Sequence, residues 1–256
     1  MFLEQGFKSE NKFWKYIVGS IIIIFASFLG QIPLLMALLY ETFVIGKPYP
    51  TNNEAVLRFF EPNLTLFLIL ISFVFSMLGV VFVVRYLHHQ TMLSITTSRD
   101  KVDWGRIRFS FSFWALFTIV STLSFYHYNP NDFEINFKPV PFAILAVIGL
   151  LLIPIQTSSE EYIFRGYLMQ GFGNLAKNKW FPLLMTSLIF GAMHISNPEV
   201  SKLGNIIMVY YIGTGLFLGV ITLMDEGMEL ALGFHAANNL VGALLVTSDW
   251  SAFQTL

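Results

Sequence analysis

The chain has 256 residues, of which 55% are hydrophobic and 12% are charged, and it has a net charge of -1 and no cysteine. A soluble domain has about 25% charged residues, so this composition indicates a helical protein that crosses a membrane several times. The near-neutral charge argues against a nucleic-acid-binding protein, and the lack of cysteine excludes disulfides and thiolate catalysis. Residues 1–256 are predicted to form one membrane domain because no repeat, low-complexity tract or linker divides them.

Apolar segments of about 20 residues predict membrane-spanning helices, and the sequence contains seven. Three lie within residues 16–128, namely Tyr16–Tyr40, Leu64–Val84 and Phe109–Tyr128. Four lie within residues 140–247, namely Val140–Ile155, Trp180–Ile195, Asn205–Met224 and Glu229–Thr247. An eighth span would arise if Ala55–Phe60 contributed a helix, or if the fourth helix, which could continue to Ala176, were divided. The predicted fold is therefore an all-α polytopic bundle of seven to eight helices, with a kink in the first at Pro33.

The charges of the loops predict the orientation in the membrane. Three segments are basic, namely the N-terminus with Lys8, the loop Arg85–Arg108 and the turn Lys177–Lys179. Basic loops favour the cytoplasmic side, so the N-terminus is expected in the cytoplasm. By alternation the acidic loop Asp225–Gly227 should also be cytoplasmic, against the charge bias. The neighbouring Glu229 is expected in a solvated loop, with a position lining the cavity as the alternative.

Other polar and small residues are expected to have structural roles. His88 lies at the end of a span, where an interfacial position is expected. Gly191, Gly213 and Gly215 should allow neighbouring membrane helices to pack closely.

Two adjacent acids and an arginine directly follow the fourth apolar segment. An ionised group at membrane depth is costly unless it is paired or functional. Glu161 and Arg165 are four residues apart with the acid first, which is the favourable order for pairing on a helix. Glu160 is rotated by about 100° from its neighbour, so it remains available for chemistry.

Two histidines are expected near these acids. Glu161 and His194 each lie about 16 residues from the turn around Lys177–Lys179, so antiparallel helices would place them at nearly the same depth. His235 and Asn239 share a helix face, but His235 lies only about nine residues beyond the Asp225 loop. A broken or tilted helix, or a deep water-filled cavity, would be needed to bring it to the depth of His194.

This set of residues suits the hydrolysis of a peptide bond. A buried carboxylate can act as general base on water, and His and Asn can donate hydrogen bonds to an oxyanion. The Gly-x-Ser-x-Gly and His-Glu-x-x-His signatures are absent. A zinc site of Glu160, His194 and His235 remains an alternative. The structural alternatives are a salt-bridged acid pair and a His–Asn pair that joins helices.

Three short motifs resemble those of one protein family. Glu160–Arg165 is similar to the EExxxR motif of the CAAX protease and bacteriocin-processing (CPBP) family of intramembrane endopeptidases, which is related to the type II CAAX prenyl endopeptidases. Phe190–His194 resembles the family's FxxxH motif, and His235–Asn239 resembles its HxxxN motif. All three occur in the family's order within Val140–Thr247.

The resemblance implies a bundle of about eight spans with a cavity that opens toward the cytoplasm. It implies that Glu160 and His194 activate a water molecule and that His235 and Asn239 form the oxyanion hole. The implied substrate is a membrane-associated or prenylated peptide or protein, and the implied location is the bacterial cytoplasmic membrane.

The same resemblance gives Glu161 and Arg165 a bracing role in the site. A metal-free mechanism is preferred over a zinc-dependent one, because Asn is a poor zinc ligand and a good oxyanion donor. The expected partners are the substrate and the lipid bilayer, with no nucleic acid. Two non-protease alternatives are an immunity-type membrane partner without catalytic activity and a proton-relaying transporter, although the absence of internal repeats counts against a transporter.

Overall fold

The computed structural model describes residues 1–7 and 12–255, so Lys8 of the predicted basic N-terminus lies outside the described residues. Within that part of the chain the secondary structure is helical, with one isolated bridge between Thr97 and Gly227 in place of any strand. The main helices are α1 (Phe13–Gly30), α2 (Ile32–Phe43), α3 (Pro62–Phe82), α4 (Trp104–Tyr128), α5 (Pro139–Ala176), α6 (Trp180–Ala192), α7 (Ile207–Met224) and α8 (Glu229–Leu245).

Each of the seven predicted segments is helical, and the all-α polytopic bundle is confirmed. Five tracts are long and apolar enough to cross a membrane, namely Phe13–Phe43, Pro62–Leu87, Trp104–Tyr128, Pro139–Ala176 and Ile207–Met224. Helices α6 and α8 are shorter and complete the set. Neither source of an eighth span is found in the described residues, because the helix Asn53–Leu57 has only five residues and α5 is not divided.

The first tract is broken at Gln31, between α1 and α2. Pro33 is the second residue of α2, where its missing backbone N–H costs least, so the predicted kink falls at the start of a new helix. Helix α1 packs tightly on α3, since a Cβ at Gly30 would lie 2.7 Å from the Cα of Ser72.

Helix α5 changes its geometry directly after the two glutamates. Its α-helical part ends at Glu161, and Tyr162–Leu168 form a π-helix before α-helix resumes at Met169. The π-helix packs against a short neighbouring helix, because a Cβ at Gly166 would lie 2.9 Å from the carbonyl oxygen of Ile95. Single π-helical turns of this kind occur frequently at functional sites.

The segments predicted on the cytoplasmic side lie together at one end of the bundle, called here the basic end. Lys177 Nζ lies 4.3 Å from the ring centre of Phe7, and Gln90 Nε2 donates to the carbonyl oxygen of Gln5 at 3.0 Å. The N-terminus, the Arg85–Arg108 loop and the turn after α5 therefore share one end. Which side of the membrane this end faces stays a prediction.

The acidic loop before α8 belongs to the same end because arginines neutralise it. Asp225 lies 3.2 Å from Arg99 and also pairs with Arg106. Glu229 is fully buried and accepts hydrogen bonds from Arg99 Nη1 at 3.3 Å and from the backbone N–H of Asp103 at 3.2 Å. The expected solvated position of Glu229 is therefore wrong: this acid fixes the first turn of α8.

His88 directly follows the span Pro62–Leu87, and its side chain is buried within the protein. The residue is 3% exposed, its Nε2 lies 2.9 Å from the Tyr167 hydroxyl, and its ring centre lies 4.4 Å from that of Tyr16. It therefore belongs to the contact between α1, α5 and the segment that follows α3.

Candidate active site

The carboxylate of Glu161 lies at the centre of the site, where it binds both Arg165 and His235. Glu161 is fully buried, and its Oε1 accepts from Arg165 Nη1 at 2.9 Å and from His235 Nδ1 at 2.8 Å. Arg165 Nη2 also donates to the carbonyl oxygen of Gly215 at 3.3 Å. The predicted Glu161–Arg165 pair is present, and through His235 and Gly215 it joins α5, α7 and α8.

One imidazole lies between the two glutamates. His235 Nε2 is 3.5 Å from Oε2 of Glu160, while its Nδ1 bonds to Glu161. An ionised carboxylate only accepts hydrogen bonds, so Nδ1 carries the hydrogen and Nε2 faces Glu160. The side chain of Glu160 is 16% exposed and lines the cavity. The structure thus brings His235 to the glutamates despite its position only six residues into α8.

His194 lies just beyond the end of α6 and faces the same cavity as Glu160. Its Nδ1 is 2.7 Å from the carbonyl oxygen of Phe190, so Nδ1 donates and Nε2 is left for other partners. Its ring stacks on Tyr211 with centres 4.4 Å apart and an interplanar angle of 25°. In the described residues no hydrogen bond or ion pair joins His194 to Glu160 directly.

Asn239 lies at the start of a polar network on the other side of His235. Its Nδ2 donates to Gln156 Oε1 at 3.0 Å and lies 3.4 Å from His235 Nε2. Its Oδ1 accepts from Asn238 Nδ2 at 3.0 Å. Asn238 Oδ1 in turn accepts from Trp114 Nε1 at 3.2 Å, which connects the network to α4.

Three members of this network were not predicted from the sequence, namely Gln156, Asn238 and Trp114. Gln156 is four residues before Glu160, so helical periodicity alone places both on one face of α5 and could have identified it. Asn238 directly precedes Asn239, but neighbouring residues on a helix do not share a face. Nothing in the sequence indicates a role for Trp114 in the site, because aromatic residues are common in apolar membrane spans.

A cavity of about 1340 Å³ adjoins these side chains. Pockets for drug-sized ligands have about 300–1,000 Å³, so this space can hold a larger molecule such as a peptide segment. Its polar wall contains Gln156, Glu160, His194, His235, Asn238 and Asn239. Much of its apolar wall comes from one face of α1, with Ile17, Ile21, Ile24 and Phe28. These four side chains are largely exposed, so α1 leaves this face uncovered along its length.

The zinc alternative was tested against the same geometry. Within residues 1–7 and 12–255, no three His, Asp or Glu side chains converge closely enough to hold a metal ion. The alternative set of Glu160, His194 and His235 does not form such a group. The residues as placed therefore do not form a zinc site.

The fold and the site together define a polytopic helical membrane protein with a Glu–His–Asn site at the wall of a large cavity. Residues 137–241 match the family model described as Type II CAAX prenyl endopeptidase Rce1-like. The chain is also 31% identical over 247 residues to the uncharacterized protein YyaK of Bacillus subtilis (strain 168), covering 96% of this chain and 82% of that protein. No solved structure matches the chain.

The chain belongs to the Rce1-like family, as the three motifs predicted. It is an integral membrane protein. Membership of this family supports a general activity as an intramembrane protease of the CAAX type. The matched residues begin at the N-terminal end of α5 and include all six predicted site residues.

Proposed function

We propose that the chain is a metal-free intramembrane endopeptidase that hydrolyses a peptide bond in a membrane-associated or prenylated substrate. The observation that carries this proposal is the position of His235 between Glu160 and Glu161 at the wall of the cavity. A salt-bridged acid pair with a purely structural role would need no imidazole placed beside a second, cavity-facing carboxylate.

Glu160 is the general base in this proposal. Its carboxylate takes a proton from a water molecule, and His194 on the other side of the cavity orients that water through Nε2. Both side chains line the same cavity, from which a water molecule could reach them. His235 and Asn239 lie on the side of the site where the oxyanion forms, and Glu161 with Arg165 holds His235 in place.

The cavity supports a substrate that is partly in the membrane. Its polar wall is continuous with the apolar face of α1, so a peptide bond could reach Glu160 while an apolar group stays against Ile17, Ile21 and Ile24. We further propose that the basic end faces the cytoplasm, because the positive-inside bias favours this orientation. The membrane concerned is then the bacterial cytoplasmic membrane.

The proposal is tested with purified protein in liposomes and a fluorogenic CAAX peptide, prepared with and without a farnesyl group. The wild type should cleave at least one of the peptides. Glu160→Gln should lower kcat by about 10²–10⁴-fold, because the general base is lost. Glu134→Gln makes the same chemical change in an exposed loop and should leave kcat unchanged.

Two further measurements separate this mechanism from the alternatives. Incubation with EDTA should not lower activity, whereas stoichiometric zinc that is lost together with activity would favour the metal-dependent protease. Wild-type-like cleavage by Glu160→Gln would refute the assignment of the base. A folded wild type that binds both peptides and cleaves neither would favour the non-catalytic immunity-type partner.

A further inference from the structure

The hydrogen bonds beside the catalytic glutamate all point in one direction. Indole Nε1–H of Trp114 can only donate, so the atom of Asn238 that it contacts must be the oxygen. The amide nitrogen of Asn238 then donates to Asn239 Oδ1, and Asn239 Nδ2 donates to Gln156 Oε1. The fixed donor at Trp114 therefore determines the orientation of all three amides.

This direction leaves Asn239 with no open donor. One of its two Nδ2 hydrogens is directed to Gln156 Oε1, and the other is directed to His235 Nε2 at 3.4 Å. Nε2 can accept because the ring hydrogen of His235 is on Nδ1, where it bonds to Glu161. Asn239 would have to give up one of these bonds before it could bind an oxyanion.

The open donor at the end of the chain of amides belongs to Gln156. This residue is 3% exposed and lines the cavity, and it lies one helical turn before Glu160. Its Oε1 is occupied by Asn239, whereas no hydrogen bond from its Nε2 is found among the residues that the structure describes. A buried amide that is held by its oxygen presents its N–H groups in a fixed position.

We propose that Gln156 is a further catalytic residue, whose Nε2 donates to the carbonyl oxygen of the scissile peptide, and that Asn239 is its positioning residue. This inference rests on the proposed protease function. Water attacks the carbonyl carbon while Glu160 takes the proton, and the electron pair of the C=O bond moves to the oxygen, which Nε2 of Gln156 stabilises. The C–N bond then breaks, and the leaving nitrogen receives the proton from Glu160.

The test uses full-length protein in liposomes with the fluorogenic peptide that the wild type cleaves. Gln156→Met keeps the length of the side chain and removes the donor. We expect kcat to fall by about 10²–10³-fold with KM nearly unchanged, because the lost interaction forms mainly in the transition state. A thermal unfolding midpoint close to that of the wild type establishes that the variant is folded.

Gln156→Glu supplies a readout that a structural role would not change. Its ionised carboxylate cannot donate, but the protonated acid can. The ratio of its kcat to that of the wild type should therefore rise as pH falls, while the same ratio for Gln156→Met stays flat.

The outcomes distinguish this inference from the proposed function. If the wild type cleaves and a folded Gln156→Met keeps kcat within about threefold, the inference is overturned and the protease function stands. A flat ratio for Gln156→Glu also overturns it. If the wild type cleaves neither peptide, the proposed function fails, and the role of Gln156 falls with it.

Discussion

At the scale of single residues, Glu160 and Glu161 are neighbours in sequence with opposite environments. Glu161 is fully buried and satisfies Arg165 and His235, whereas Glu160 faces the cavity with 16% of its side chain exposed. The same chemical substitution should therefore affect stability at one position and catalysis at the other.

We expect Glu161→Gln to lower the free energy of unfolding by about 3–5 kcal/mol, because it leaves the buried Arg165 charge without a counter-charge. Glu160→Gln should leave stability nearly unchanged. The measurement is unfolding followed by tryptophan fluorescence. Adding Arg165→Met to Glu161→Gln should recover part of the loss, since the double variant has no unpaired charge. Additive losses would mean that the two residues do not act as a pair.

The sequence predicted the contacts of this part of the site within one helix, but not the contacts between helices. Helical spacing placed Glu161 beside Arg165 and turned Glu160 away, because both follow from about 100° of rotation per residue. The bond from His235 to Glu161 joins residues 74 positions apart, and its existence depends on how α8 packs. Local spacing carries no information about that packing.

At the scale of secondary-structure elements, α6 and α7 pack through glycines. A Cβ at Gly191 would lie 2.4 Å from Ile212 Cγ1, and one at Gly215 would lie 3.0 Å from the Cα of Ser187. The close packing predicted at both positions is confirmed. Nothing lies within 4 Å of a Cβ at Gly213, so the same expectation is wrong there.

Gly215→Ala should therefore destabilise the protein by about 1–3 kcal/mol, because the new methyl group meets backbone atoms of α6. It should also lower peptide cleavage, since the carbonyl of Gly215 holds Arg165. Gly213→Ala, two residues away on α7, is the matched control. It should be neutral or stabilising by up to about 1 kcal/mol, as alanine favours the helix. Equal unfolding midpoints for the two variants would contradict the packing argument.

Element positions were predicted well where length and hydropathy decide them. All seven apolar segments are helices, because a backbone in lipid must satisfy its own hydrogen bonds. The π-helix Tyr162–Leu168 was not predicted, and it packs at Gly166 against Ile95 from another part of the chain. Hydropathy contains no signal for such a contact.

At the scale of the whole molecule, ion pairs explain why the acidic loop before α8 lies at the basic end, which a count of charges did not explain. Asp225 and Glu229 run against the positive-inside bias, yet Arg99 and Arg106 from the basic loop neutralise them. The expectation for Glu229 failed because its partner is 130 residues away. The same contacts hold the first turn of α8, the helix that carries His235.

The docking of α1 at the basic end should be sensitive to acid. His88 lies outside the span Pro62–Leu87, and burial together with the charge of Lys15 lowers the pKa of His88 from 6.5 to about 4. The folded state therefore keeps this ring neutral at pH 5, while the unfolded chain takes up a proton below about pH 6.5. Stability that is present above pH 6.5 is lost as the pH falls toward 4.

We expect the thermal unfolding midpoint in detergent to fall between pH 7 and pH 4.5, and to fall less steeply in His88→Gln, which has no group to protonate at this position. The exposed His127, near the C-terminal end of α4, provides the control for replacing a histidine that the protein does not bury. His127→Gln should follow the wild-type slope. If His88→Gln keeps the wild-type slope as well, the acid sensitivity must arise from other groups, with His89 next to His88 as the first to be replaced.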